Sequence, residues 1–206
     1  MSGFLNRFTT LPVLIDMLAN KRITLISPEK WEDRNDAYYI EVFKNKMKYN
    51  TVLGICFSSA KETFHHWKIY ASGMSGVCIE FDKDKLIDAI IALHGVKSKV
   101  VSYKWIMDAR KDKPKISDLP FLKRKPYEDE EEFRIIYSDK SQIMQTYDIS
   151  ITPKFINKIT LSPFLPKTLF KSVETAIWNI EKCDALRIVR STLLENEEWK
   201  KIADET

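Results

Sequence analysis

Glu128, Asp129, Glu130, Glu131 and Glu132 are five consecutive carboxylates, and they run directly into Phe133-Arg134-Ile135-Ile136, a stretch with the composition of a β-strand. Acid runs ordinarily lie on solvated faces or in tails. This one enters core-like sequence, so part of its charge is carried inward. A strand sends alternate residues to opposite faces. Glu130, Glu132 and Arg134 are therefore expected on one face, and Glu131, Phe133 and Ile135 on the other. Two carboxylates beside a guanidinium form a site-like arrangement, in which Arg134 can clamp a phosphate or carboxylate through two parallel hydrogen bonds. The structural alternative pairs Glu132 with Arg134 or another basic residue at a sheet edge, and Arg134 with Glu32, Asp33 or Asp36. Glu128, Asp129 and Glu131 are expected in solvent. The preceding Lys123-Arg124-Lys125 can meet a nucleic-acid backbone, or balance its acidic neighbours, the commoner case.

The elements that must position these groups alternate without regular βαβ order. Thr10 and Pro12 resemble an N-cap with proline in the first turn, opening a helix that ends near Asn20. Strands are expected over 23–26, 52–58, 77–81, 100–103, 133–137 and 146–151, with a further short apolar stretch at 186–189. Helices are expected over 62–70, 83–93 and 167–180, the last with Leu169, Phe170, Val173, Ala176, Ile177 and Ile180 at helical spacing. Residues 31–36 read as a loop carrying one buried aromatic, Gly73 to Gly76 as a turn, and 108–125 as a long connection with a helical start. This pattern predicts an α+β fold, a mixed and mainly antiparallel sheet with peripheral helices. Residues 1–194 are expected to form a single domain and 195–206 a charged tail.

Composition narrows the class. The 206 residues are 44% hydrophobic and 30% charged, an ordinary globular balance, and a net charge of +4 permits anionic partners without demanding them. Three widely spaced cysteines, Cys56, Cys78 and Cys183, support neither a zinc ribbon nor a disulfide framework; Cys56 and Cys78 read as small buried hydrophobes. No G-x-G-x-x-G or G-K-[ST] loop occurs, which argues against a doubly wound dinucleotide fold or a P-loop hydrolase. Arg7 and Asp16 interrupt any apolar stretch near the start, so neither a signal peptide nor a membrane span is expected, and a cytoplasmic location is. Arg7 lies just before a helix N-terminus, where anions are favoured, and is a candidate pyrophosphate contact; the alternative is an exposed terminal arginine. Trp67 and Tyr70 fall at i, i+3 on one helix face, as core packing or as a stacking platform.

Several segments in order resemble the domain-of-unknown-function family 2971. They are Leu5-Asn6-Arg7-Phe8-Thr9-Thr10, Ser27-Pro28 through Trp31-Glu32-Asp33, Cys56-Phe57-Ser58, Trp67-Lys68-Ile69-Tyr70-Ala71, Gly76-Val77-Cys78-Ile79-Glu80-Phe81 and Glu130-Glu131-Glu132-Phe133-Arg134-Ile135. The last is similar to the family's E-x-E-[FY]-R signature. The chain departs from the family where Arg34 follows Asp33 and where His66 precedes Trp67. The order of a basic residue, a serine after a central strand and a late Glu-x-Glu is also remotely similar to ADP-ribosyltransferases. That similarity implies an ADP-ribosyltransferase-like fold, with NAD as substrate. On its map Arg7 grips NAD, Ser58 supports the nicotinamide ribose and Glu132 drives the reaction, with Tyr70 placed to stack on nicotinamide; beside these, Glu130 is the candidate base toward an acceptor and Arg134 a candidate cofactor contact. Ser58-Ser59-Ala60 lacks the hydroxyl that such enzymes carry two positions after the serine.

The resemblance therefore implies a cytoplasmic ADP-ribosyltransferase, a toxin or phage-defence effector, acting on a protein or nucleic-acid acceptor that the sequence does not specify. Two alternatives stand beside it. Glu80, Asp82, Glu130 and Glu132 could ligate magnesium in a nuclease, although Arg134 stands where the usual lysine would be. The acid-rich strand could equally be the interface of a non-catalytic binding module.

Overall fold

The computed structural model describes residues 3–71 and 73–206, with the Lys30 side chain left aside. In chain order, β1 (Phe4–Thr10), α1 (Leu11–Asn20) and β2 (Arg22–Ile26) are followed by α2 (Arg34–Met47), β3 (Thr51–Ser58), α3 (Phe64–Tyr70) and β4 (Gly76–Asp82). Then come α4 (Lys83–Ile91), β5 (Val96–Val100), β6 (Ser102–Lys104), α5 (Ile106–Lys111), β7 (Leu122–Arg124), β8 (Glu132–Asp139) and β9 (Thr146–Ser150). The chain finishes with β10 (Ile156–Leu161), α6 (Lys167–Trp178), β11 (Ile188–Arg190) and α7 (Glu197–Asp204). The fold is mixed α+β with mainly antiparallel strand pairing. Among the described residues no helix is long and apolar enough to cross a membrane.

The chain groups into two compact units. The first comprises Met1–Leu5, Arg22–Ala60 and Lys83–Ile151. Its strands run in the order β9-β2-β3-β8-β5, each pair antiparallel. β8 is flanked by β3 and β5, and Glu132 through Ser138 are all buried, as a strand covered on both faces requires. A separate parallel pair joins β6 to β7. Ile40 and Phe43 of α2 pack with Val52, Ile136, Leu119 and Phe121 into one core cluster, with Trp31 and Tyr39 against it.

The second unit comprises Asn6–Lys21, Lys61–Asp82 and Thr152–Thr206. Here β4 lies between β1 and β10, and β11 runs parallel to β10. Trp67 is fully buried among Phe8, Ala71, Cys78 and Phe164, and its indole N–H donates to Glu62. Core packing is thus the role Trp67 takes.

Most expected elements appear at nearly the expected places, and the differences have physical causes. α2 begins inside the region read as a loop, at Arg34, and continues well beyond it. Asp33 caps it by accepting from the Asn35 N–H, and Asp36, Ile40 and Phe43, at helical spacing, face inward. Thr10 precedes α1 with extended backbone but makes no side-chain cap. β1 and β10 were not anticipated, because Asn6, Arg7, Asn157 and Lys158 break the apolar pattern. The expected charged tail contains α7, capped by Asn196 through the Trp199 N–H.

Candidate functional site

The acid run does not enter β8 as one alternating strand. Lys125–Glu130 forms a 3-10 segment, and Glu131 takes a left-handed backbone conformation with φ of 42°. The end of β3 holds this loop in place. The Ser58 hydroxyl donates to the Glu130 carbonyl at 2.6 Å and accepts from the Ala60 N–H. The Ser59 N–H donates to the Glu131 carbonyl at 3.0 Å, and its hydroxyl does the same. The expectation that Glu130, Glu132 and Arg134 alternate along one strand is therefore corrected. Only Glu132 and Arg134 lie in β8, and the left-handed residue between the two glutamates breaks the alternation.

The two carboxylates nevertheless converge. The Lys123 ammonium lies 2.5 Å from a Glu130 oxygen and 3.3 Å from a Glu132 oxygen. Arg134 meets Glu132 from the other side, with Nε at 2.5 Å from Oε1 and Nη2 at 2.8 Å from Oε2. The remaining Arg134 donors reach the Pro120 carbonyl at 3.1 Å and the Asp36 carboxylate, and Lys123 is 3.7 Å from Asp36. Trp31 covers the guanidinium, its ring centre 5.1 Å away, and Tyr127 lies under the Lys123 ammonium at 4.7 Å. The Tyr103 hydroxyl accepts from the Glu132 N–H at 2.8 Å.

Strand register explains why these side chains meet. Ser58 is opposite Glu132 and Cys56 opposite Arg134 on the β3–β8 pair, and directly opposed residues share a face. Tyr103 is opposite Lys123 on β6–β7. Asp36 comes from the first turn of α2. Arg134 is 1% exposed and Glu132 4%, whereas the Glu130 side chain, at 17%, is the member of the network nearest solvent.

Three carboxylates share two cations, so the cluster carries one excess negative charge if all are ionised. Burial works against charge on Glu132, but Arg134 and Lys123 outweigh it and hold the carboxyl down at about 2. Asp36 shifts the opposite way: burial raises it, because Arg134 and Lys123 only partly compensate. Glu132 takes both nitrogens of the Arg134 fork, whereas Asp36 has a single guanidinium nitrogen and a distant ammonium, so the two directions are consistent. Burial also opposes the charge on Lys123, yet Glu132, Glu130 and Asp36 raise its pKa further. Tyr103 is pushed up by burial first, and its hydroxyl stays protonated.

Among the anticipated site residues, Ser58, Glu130, Glu132 and Arg134 come together in the first unit. Of the two roles open to Arg134, the geometry gives it the internal one, with Asp36 as partner; its donors point at protein groups rather than outward. Arg7 and Tyr70 belong to the second unit. Arg7 is half-buried in β1, and Tyr70 is 42% exposed at the end of α3, its ring tilted toward His66 at 6.4 Å. Glu80, one of the proposed magnesium ligands, pairs with Lys158 at 2.9 Å in that same unit. Asp82 belongs to that unit as well, so of the four only Glu130 and Glu132 are in the first unit, where both meet the Lys123 ammonium. Among the described residues no group of three or more His, Cys, Asp or Glu is placed to hold a metal.

Tyr103, Cys56 and Trp31 were not anticipated as parts of this cluster. Cys56 is half-buried beside Glu132, to which its thiol hydrogen-bonds, rather than a buried hydrophobe. Its place two residues before Ser58 on the same strand was the available signal. Lys123 does balance its acidic neighbours, as the commoner reading of the Lys123-Arg124-Lys125 run expects, but its burial between Glu130 and Glu132 follows from the pairing of β7 with β6.

Among solved structures, Thermus sp. 2.9 DarT in complex with NAD+ is similar at 10% identity, over 92% of this chain and 95% of that chain, with a TM-score of 0.47. That likeness is too slight to speak for the reaction. No curated protein matches. Residues 66–135, which include Trp67 and the Glu130-to-Arg134 motif, match the model of a family described as a protein of unknown function, DUF2971.

Proposed function

We propose that the Glu130–Glu132 pair is the centre of an enzyme that breaks the glycosidic bond of NAD and passes the ADP-ribosyl group to an acceptor. The observation that carries this reading is the convergence of both carboxylates on the single Lys123 ammonium. That shared contact keeps the two carboxylates together, one buried and held ionised and the other nearer solvent, so that both can face one bound sugar.

The roles follow from their surroundings. Glu132 is held ionised and fixed by Arg134 and Lys123, which makes it an electrostatic partner for positive charge and a poor proton carrier. As the bond from ribose C1′ to the nicotinamide nitrogen breaks, its electron pair leaves with nicotinamide, and the cationic sugar carbon is stabilised by preorganised negative charge. An acceptor hydroxyl, or water when no acceptor is present, attacks that carbon as nicotinamide departs and loses its proton to Glu130, the carboxylate closest to solvent. Ser58, through its bond to the Glu130 carbonyl, positions the loop that carries this base. Arg7 and Tyr70 are assigned to NAD binding on the resemblance of their segments. The reading carries with it a cytoplasmic effector acting on a macromolecular acceptor.

The test is nicotinamide release from NAD by purified protein. Glu132→Gln and Glu130→Gln should each lower it at least a hundredfold, while Lys125→Ala leaves it unchanged. The absence of NAD binding by calorimetry would remove the proposal.

A second reading is favoured by the depth of the same cluster. Glu132 is 4% exposed and fully engaged, as expected of an ionic core that fixes the fold of a non-catalytic binding module. It predicts no turnover, and a loss of stability in Glu130→Gln that Glu128→Gln does not share.

A further inference from the structure

The β6–β7 pair has two faces. Tyr103 and Lys123, opposite one another in register, serve the carboxylate cluster. One residue on, Lys104 and Arg124 are also opposite one another, and alternation along the strands turns them to the other side. There they line a cavity of about 380 Å³ together with Trp105, Ile106, Met107, Asp108 and Pro126. Trp105 is 56% exposed, and Ile106 and Met107 are as open. Three consecutive large apolar side chains left in water are an uncommon feature of a folded surface. Lys104 pairs with Asp112 at 2.7 Å, whereas Arg124 is exposed and has no ion pair among the described residues.

We propose that this cavity binds a nucleotide unit, with the base stacked on Trp105 and the phosphate held by Arg124 and Lys104. Three observations converge on that ligand. The cavity has the size of small-ligand sites. The indole and the Met107 thioether offer a flat, polarizable wall to an aromatic ring. The guanidinium presents a planar donor fork suited to phosphate. A purely apolar ligand would leave the Arg124 guanidinium without a partner, and a simple anion would leave the indole uncovered. The beginning of α5 adds no anion site, since that helix has only six residues. A free mononucleotide and one unit of a single-stranded nucleic acid share this chemistry.

The site stands apart from the NAD-cleaving reading: neither Glu130 nor Glu132 lines the cavity, and its two cations lie one residue on from Tyr103 and Lys123. Titration calorimetry of the intact chain with AMP and with a short single-stranded oligoadenylate tests it. Saturable binding of either is expected, weakened roughly tenfold by Arg124→Gln, the loss of one charge-assisted contact, and by a similar factor in Trp105→Ala. Both substitutions are at exposed positions, and the thermal midpoint of each variant should match the parent. AMP binding as tightly as the oligonucleotide identifies the free nucleotide as the ligand. Tighter oligonucleotide binding that falls steeply with salt identifies the nucleic acid. The proposal is overturned if neither probe binds, if binding is indifferent to both substitutions, or if Trp105 and Arg124 instead govern adsorption to vesicles of anionic phospholipid. Nicotinamide release unchanged in Trp105→Ala would separate this site from the carboxylate pair.

Discussion

Lys123 and Lys125 lie two residues apart, and each meets a glutamate of the same acid run at nearly the same distance, 2.5 Å to Glu130 and 2.6 Å to Glu128. On paper the pairs are alike. Lys123 is 7% exposed and shares its charge with Glu132 and Asp36, whereas Lys125 and Glu128 face water. Solvent screening leaves a surface pair worth about 0–1 kcal/mol. A buried pair is different in kind: its formation is nearly offset by desolvation, but removing one partner strands a charge in a poor solvent. Ion-pair distance therefore says little about consequence here. What matters is how many charges depend on the same cation, and whether water can replace it.

Four substitutions test that contrast, in decreasing order of effect. Arg134→Met leaves Glu132 and Asp36 buried with only Lys123 between them, and should destabilise the protein by about 3–5 kcal/mol, read as a lower urea midpoint with unchanged slope. If the loss were below 1 kcal/mol, the buried cluster would be no different from the surface pair. Glu132→Gln comes next and has a pH signature. The folded pKa of Glu132 lies below its ordinary 4.5, at about 2, so its stabilisation is complete above pH 4.5 and disappears as pH falls toward 2. The variant should lose about 3 kcal/mol at neutral pH and show a flatter decline in acid. Asp36, whose pKa is raised by burial, acts in the opposite sense: its contribution is greatest in acid and fades as pH rises through its folded pKa.

Gly54→Ala probes the cover over the guanidinium. An added Cβ would lie 2.9 Å from Ile136 Cδ1 and 3.0 Å from the Trp31 ring, so Trp31 must move off Arg134, at a cost of about 1–3 kcal/mol with a change in tryptophan fluorescence. Lys125→Ala is the smallest, within about 0.5 kcal/mol of the parent in urea.

How much of this was legible follows the same division. Strands with continuous apolar runs, such as β3 and β8, were readable because burial selects such runs; α6 stands where its spacing placed it, although of that apolar face only Ile177 is buried and Leu169 is exposed. α2 was hidden by its first turn, where Asp33, Arg34, Asn35 and Asp36 look like a loop and are in fact a cap followed by an inward-facing acid. The Glu-x-Glu-x-Arg spacing pointed to a site, and Asp36 stood among the foreseen partners of Arg134. Glu130 reaches that site through a kink that local sequence does not announce, since only the backbone at Glu131 reveals it. Lys123, Tyr103 and Cys56 depend on strand register, a long-range property absent from any short window. Arg7 was singled out by its place before a helix and Tyr70 by its helix face, each with the resemblance beside it, and both belong to the second unit rather than to the one that holds the carboxylates.

The most direct test of the central claim compares two neighbours in the acid run. Nicotinamide release from NAD should be measured for the parent chain, for Glu130→Gln and for Glu128→Gln, with folding checked by thermal midpoint. The account predicts release by the parent, retention in Glu128→Gln, and at least a hundredfold loss in Glu130→Gln while the fold persists. Release that is absent from the parent, or equal in the two variants, would contradict it.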